Sequence, residues 1–145
     1  MYIKRQIEQT ILQSSATFPV LLLTGPRQTG KSTLLQHLAE PGRKYVSLDN
    51  PSMRESAISA PDLFFQRYTP PLILDEIQYA PQLLPYIKMI VDEQQVNGLF
   101  WLTGSQVFEM MRDVRESLAG QIGRASCRER EKVSVVARKY YKQTA

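Results

Sequence analysis

Residues 25–32 read Gly25-Pro26-Arg27-Gln28-Thr29-Gly30-Lys31-Ser32, which fills the pattern G-x-x-x-x-G-K-[ST] without a gap. Each part of that spacing has a chemical use. Two glycines let the backbone curl until its N–H groups point inward, a geometry that cradles phosphate oxygens. A helix beginning at Lys31 adds the partial positive charge of its N-terminus. The Lys31 ammonium can reach a β- or γ-phosphate, and the Ser32 hydroxyl can ligate Mg²⁺. Thr33 and the amides from Thr29 onward lie where the inner phosphates would sit. Arg27 and Gln28 complete the loop, where they either face solvent or sense the nucleotide.

A second chemical pair stands at Leu72-Ile73-Leu74-Asp75-Glu76, where an apolar run ends in two carboxylates. In an open α/β sheet, ligands bind at the carboxyl ends of the strands. Asp75 there can hold Mg²⁺ opposite Ser32, and Glu76 can act as the base that orients a water for attack on a γ-phosphate. The extra Glu favours hydrolysis of a nucleoside triphosphate over phosphoryl transfer to another substrate. A third apolar run ends in Thr103-Gly104-Ser105. Thr103 and Ser105 can hydrogen-bond the attacking water or the γ-phosphate, and Ser105 can equally cap the next helix.

These groups need elements that bring them together. Val20-Leu21-Leu22-Leu23-Thr24 is a continuous apolar run, as expected of a strand buried on both faces. Further strands are predicted at 45–48, 72–75 and 99–103. Helices are predicted from Ile3, from Lys31 to Glu40, after Asn50-Pro51, over 62–68, over 83–94 and over 107–118. Asn50 reads as an N-cap with Pro51 at the first helical position, and Gly120 as a C-terminal cap. Strands alternating with helices predict an α/β fold, a three-layer α/β/α arrangement around a parallel sheet.

Composition narrows the rest. With 145 residues, 43% hydrophobic and 22% charged, the chain is an ordinary globular domain in size and make-up. One cysteine, Cys127, and one histidine, His37, exclude a disulfide framework and Cys- or His-based metal clusters. No unbroken apolar stretch is longer than Val20–Leu23, so no membrane span is expected. The N-terminus lacks a signal-peptide core, and the expected location is the cytoplasm. The net charge of +4 lies in one place. Residues 121–145 hold seven of the 18 basic and two of the 14 acidic side chains. Residues 1–120 are close to neutral, so the charge of the body of the chain does not support a nucleic-acid partner.

The segments GPRQTGKST (25–33), YVSLDNP (45–51), LILDEIQYAP (72–81), LLPYIKMIVDE (83–93), LTGSQ (102–106) and ESLAG (116–120) occur in order. Together they resemble the AAA-type P-loop ATPases of bacteria and archaea that carry a C-terminal domain of unknown function. The resemblance covers roughly residues 2–120, and related archaeal ATPases with similar P-loops stand close behind. It implies a sheet ordered 5-1-4-3-2, with ATP as nucleotide and Mg²⁺ as metal. It also implies Lys31, Ser32, Asp75 and Glu76 in the roles above, and a polar sensor at the end of strand four. An unidentified protein partner and an oligomer fit the same resemblance.

Two departures follow residue 120. Gln121 stands where the resemblance leads one to expect an arginine, a residue that in related NTPases can serve a γ-phosphate. Beyond it, Ile122–Arg130 resembles the translation of a sequencing adapter rather than a fifth strand. The expected division is therefore a truncated ATPase domain over 1–120 and a basic, non-native tail over 121–145. A disordered end or a nucleic-acid-binding arm are the alternatives for that tail. Val133–Ala137 has strand composition and could fill the place beside strand one. Without a neighbour there, strand one would be an apolar edge prone to aggregate. Function is expected to be Mg²⁺-dependent ATP hydrolysis, with a nucleotide-operated switch as the alternative.

Overall fold

The computed structural model describes residues 2–26, 30–104, 112, 116–127 and 133–136. In chain order the elements are α1 (Tyr2–Thr17), β1 (Val20–Thr24), α2 (Lys31–Leu38), β2 (Lys44–Ser47), α3 (Pro51–Ser59) and α4 (Pro61–Arg67). Then come β3 (Leu72–Asp75), α5 (Leu84–Gln94), β4 (Phe100–Gly104), β5 (Ile122–Cys127) and β6 (Val133–Val136). Two short 3₁₀ turns, Ile77–Tyr79 and Pro81–Leu83, connect β3 to α5. The helix expected over 107–118 lies outside the described residues, apart from helical Arg112, Glu116 and Ser117.

The sheet runs β2-β3-β4-β1-β5-β6. The first five strands are mutually parallel, and β6 is antiparallel to β5. This is the 5-1-4-3-2 order implied by the resemblance. Every residue of β1 and of β4 is buried, as continuous apolar runs in a parallel sheet require. Side chains alternate across the sheet. Val20 and Leu22 face a core with Phe64, Phe65, Ile87 and Val91 from α4 and α5. Leu21 and Leu23 face the opposite core, formed with Ile7 and Ile11 of α1 and with Leu34 and Leu35 of α2. The Asn50 carboxamide accepts from the Ser52 and Met53 amides and so caps α3, as its position before Pro51 predicts.

The fifth position corrects one expectation. It is filled by Ile122–Cys127, paired with β1 from Val20↔Ile122 to Thr24↔Ser126. Val133–Val136 lies one strand further out. β1 is therefore an interior strand. The reason is in the backbone: a fully apolar strand leaves a ladder of unpaired N–H and C=O groups, and a short segment following closely can satisfy it with few side-chain requirements. Ile122 and Ala125 supply the buried contacts.

Candidate functional site

The strand registers gather the chemistry. Leu23 pairs with Thr103 and Thr24 with Gly104, Leu74 pairs with Leu102, and Ser47 pairs with Asp75. The carboxyl ends of β1, β4, β3 and β2 therefore share one edge of the sheet. Gly25 and Pro26 continue β1 beyond that edge, and Gly30 stands immediately before α2. Gly30 has φ +79°, a left-handed conformation that suits glycine, and its carbonyl accepts from the Leu34 amide to start the helix.

Lys31 is 5% exposed, so its ammonium must be partnered. Its Nζ donates to the carbonyl oxygens of Gly25 at 2.9 Å and Pro26 at 2.7 Å, folding the side chain back across its own loop. Ser32 is half-buried and Thr33 is exposed. Arg27, Gln28, Thr29 and Ser105 lie outside the described residues.

Asp75 is 8% exposed and accepts from three hydroxyls. Thr103 Oγ1 donates to Oδ1 at 2.5 Å, Tyr45 Oη to Oδ2 at 2.8 Å and Ser47 Oγ to Oδ2 at 3.4 Å. The Thr103 oxygen also accepts from the Glu76 amide at 2.9 Å. One fully buried hydroxyl thus holds both the side chain of one carboxylate residue and the backbone of the next. Thr103 was expected to face the attacking water or the γ-phosphate. Its proton is instead committed to Asp75, and its place is behind the carboxylates, positioning them.

Glu76 sits at φ 61°, ψ 55°, in the left-handed region. For a non-glycine residue this costs about 1–3 kcal/mol and is held only by its surroundings. Here the Thr103 bond to its amide and the 3₁₀ turn that follows supply the restraint. The conformation turns the chain away from the line of β3, and the Glu76 carboxylate accepts from Gln78 Nε2.

Tyr45 was not anticipated. Burial pushes its phenol up to about 12, and the hydrogen bond and charge of Asp75 push the same way, so the phenol stays a neutral donor. Ser32 and Ser47 act, more weakly, in the opposite sense. Gln78 and Ser47 were likewise missed. Their signal was weak: Tyr45 and Ser47 are two apart and share a face of β2, but only the β2–β3 register reveals that this face holds Asp75.

The arginine expected at position 121 finds a physical correction. Gln121 immediately precedes β5, and its carbonyl accepts from the Val20 amide at the start of β1. The glycine loop beginning at Gly25 follows the other end of β1, roughly 15 Å away at a strand's rise per residue. The Gln121 side chain meets Asp92 and Lys88 of α5. A side chain at 121 therefore serves the far edge of the sheet and the last turns of α5.

The donor set suits a hard cation such as Mg²⁺. A carboxylate such as that of Asp75 and a hydroxyl such as that of Ser32 are oxygen donors of the kind Mg²⁺ takes, alongside phosphate oxygens and water. No group of three or more His, Cys, Asp or Glu side chains able to hold a metal occurs among the described residues. Nor is any helix among them long and apolar enough to cross a membrane.

A glycine loop between a buried strand and a helix, with an acidic strand end beside it, defines a P-loop NTPase-like fold. The sequence profile of a family described as AAA domain matches residues 17–128, and the chain belongs to that family. The match runs through β5. The chain is also 31% identical over 105 residues to uncharacterized protein Rv2008c of Mycobacterium tuberculosis and, equally, to uncharacterized protein Mb2031c of Mycobacterium bovis. Those alignments cover 72% of this chain and 24% of each relative, so the chain spans about a quarter of the length of these relatives.

Proposed function

We propose that this chain binds ATP with Mg²⁺ and hydrolyses it, as the nucleotide module of a longer ATPase. The observation that carries the reading is the shared sheet edge, where Thr103 ties Asp75 to Glu76 one strand from the phosphate-binding loop. Lys31 exchanges the Gly25 and Pro26 carbonyls for the β- and γ-phosphates. The loop 25–30 and the amides opening α2 hold the remaining phosphate oxygens, with Thr29 and Thr33 at the inner ones. Arg27 and Gln28 line the loop's outer side. Ser32 and Asp75 hold the metal, which when bound neutralises charge on the β- and γ-phosphates. Glu76 accepts a hydrogen bond from the attacking water and orients it in line. Ser105, one residue beyond β4, contacts the γ-phosphate or that water.

A second reading is a nucleotide-operated switch with little hydrolysis. It is favoured by the Gln78 side chain, which occupies the Glu76 carboxylate. Equilibrium binding of a fluorescent ATP analogue, with turnover measured alongside, separates the two. Hydrolysis requires that Lys31→Ala lose binding by tenfold or more and that Glu76→Gln lose turnover alone. A switch requires that Glu76→Gln change little while Lys31→Ala abolishes partner binding. Wild-type chain that binds no nucleotide would defeat both.

A further inference from the structure

The phenol of Tyr45 lies on Asp75, one of the two groups assigned to the metal. Its oxygen donates to Asp75 Oδ2 at 2.8 Å. Mg²⁺ needs its oxygen ligands at about 2.0–2.1 Å and keeps several waters around it. A phenol oxygen donating to Asp75 Oδ2 takes up the lone pairs and the space at that oxygen that a metal or its waters would need. Tyr45 has somewhere to go: it sits on β2, the outermost strand at that side of the sheet, and is 36% exposed. Asp75 keeps its bonds from Thr103 and Ser47 when the phenol leaves, so the carboxylate stays in place.

We propose that Tyr45 is a latch on the metal position: its hydroxyl donates to Asp75 Oδ2, and Mg²⁺ entering with the nucleotide displaces it. The inference rests on the nucleotide reading above and adds a residue that sets how much Mg²⁺ is needed. The latch competes with the metal for Asp75, so removing its hydroxyl must help the metal. A hydrogen bond to a charged group has a net worth that converts to about tenfold or more in an equilibrium.

The test is Tyr45→Phe in the 145-residue chain, with binding of a fluorescent ADP analogue followed as Mg²⁺ is titrated. The expected result is a half-saturating Mg²⁺ concentration about tenfold lower than in wild type. Affinity in EDTA should be equal in the two proteins. Thermal melting supplies a readout independent of the probe. Tyr45→Phe should melt below wild type without ligand and match it at saturating Mg²⁺ and ADP, because the bond is then broken in both. An equal or higher Mg²⁺ requirement in Tyr45→Phe overturns the latch, and so does a melting difference that persists with ligand. If wild type binds the nucleotide with the same Mg²⁺ requirement as the variant, the latch alone fails. If wild type binds none, the nucleotide reading fails and the latch with it.

Discussion

Replacing Thr103 with valine removes one buried oxygen and keeps the side chain's shape. That oxygen donates to Asp75 Oδ1 at 2.5 Å and accepts from the Glu76 amide at 2.9 Å. Thr103 itself is fully buried. The first bond goes to a carboxylate, a class with a net worth of about 1.5–3 kcal/mol. The second leaves an amide without its partner, which costs about 1 kcal/mol when the residue is half-buried and water can partly replace it. Together the loss is about 2–4 kcal/mol. In a chain of this size each kcal/mol moves the melting temperature by about 3 °C, so the expected fall is about 6–12 °C. Thr103→Ser is the control. It keeps the oxygen and loses one buried methyl, about 1 kcal/mol or about 3 °C. Thermal unfolding followed by circular dichroism distinguishes them. Valine and serine variants melting within about 2 °C of each other would show that the hydroxyl does not hold the carboxylates.

Other outcomes follow from the same contacts. Gly98 has φ +76°, and a Cβ there would lie 2.8 Å from Ser15 Oγ and 3.1 Å from the Ser15 carbonyl, whereas Gly42, at φ +98°, has open space around it. Gly98→Ala should therefore cost about 2–4 kcal/mol and Gly42→Ala about 1 kcal/mol in urea unfolding. The Arg43 guanidinium holds the Glu40 carboxyl below its ordinary value of 4.5. A depressed carboxyl stabilises the fold above that ordinary value and stops doing so as pH falls through the folded one. The small stability gap between wild type and Glu40→Gln should thus be present at neutral pH and close in acid, measured by urea titration across that range. A chain ending at Gly120 exposes β1 along one side and should aggregate, whereas one ending at Cys127 keeps its neighbour; light scattering decides. The proposal that residues 121–145 are foreign to the protein is checked by reading the source DNA across the codons for Leu118 to Arg130. An arginine codon at 121 followed by an apolar strand upholds it, and the present codons refute it.

What could be read from the chain alone was what depends on near neighbours. The loop 25–32, the Asp75-Glu76 strand end, the Asn50 cap and the apolar strands β1, β3 and β4 all announce themselves within a few residues. What stayed hidden depends on which strand lies beside which. Tyr45 reaches Asp75 only because β2 pairs with β3 in the register Ser47↔Asp75. Thr103 was singled out, but as a group facing the nucleotide; the β4 position between β1 and β3 turns it into a support for two carboxylates. Position 121 looked catalytic by sequence resemblance, and only its place at the start of β5 shows that it serves the opposite edge. The left-handed turn at Glu76 carries no sequence signal of the kind a glycine gives.

The most direct test of the central claim compares wild type with Glu76→Gln for Mg²⁺-dependent ATP binding and turnover in the same preparation. Positioned bases contribute about 10²–10⁴ in rate. The account predicts that both proteins bind ATP within about threefold of each other and that turnover falls by about a hundredfold or more in the variant. Equal turnover in the two proteins, or a wild type that binds no ATP, would contradict it.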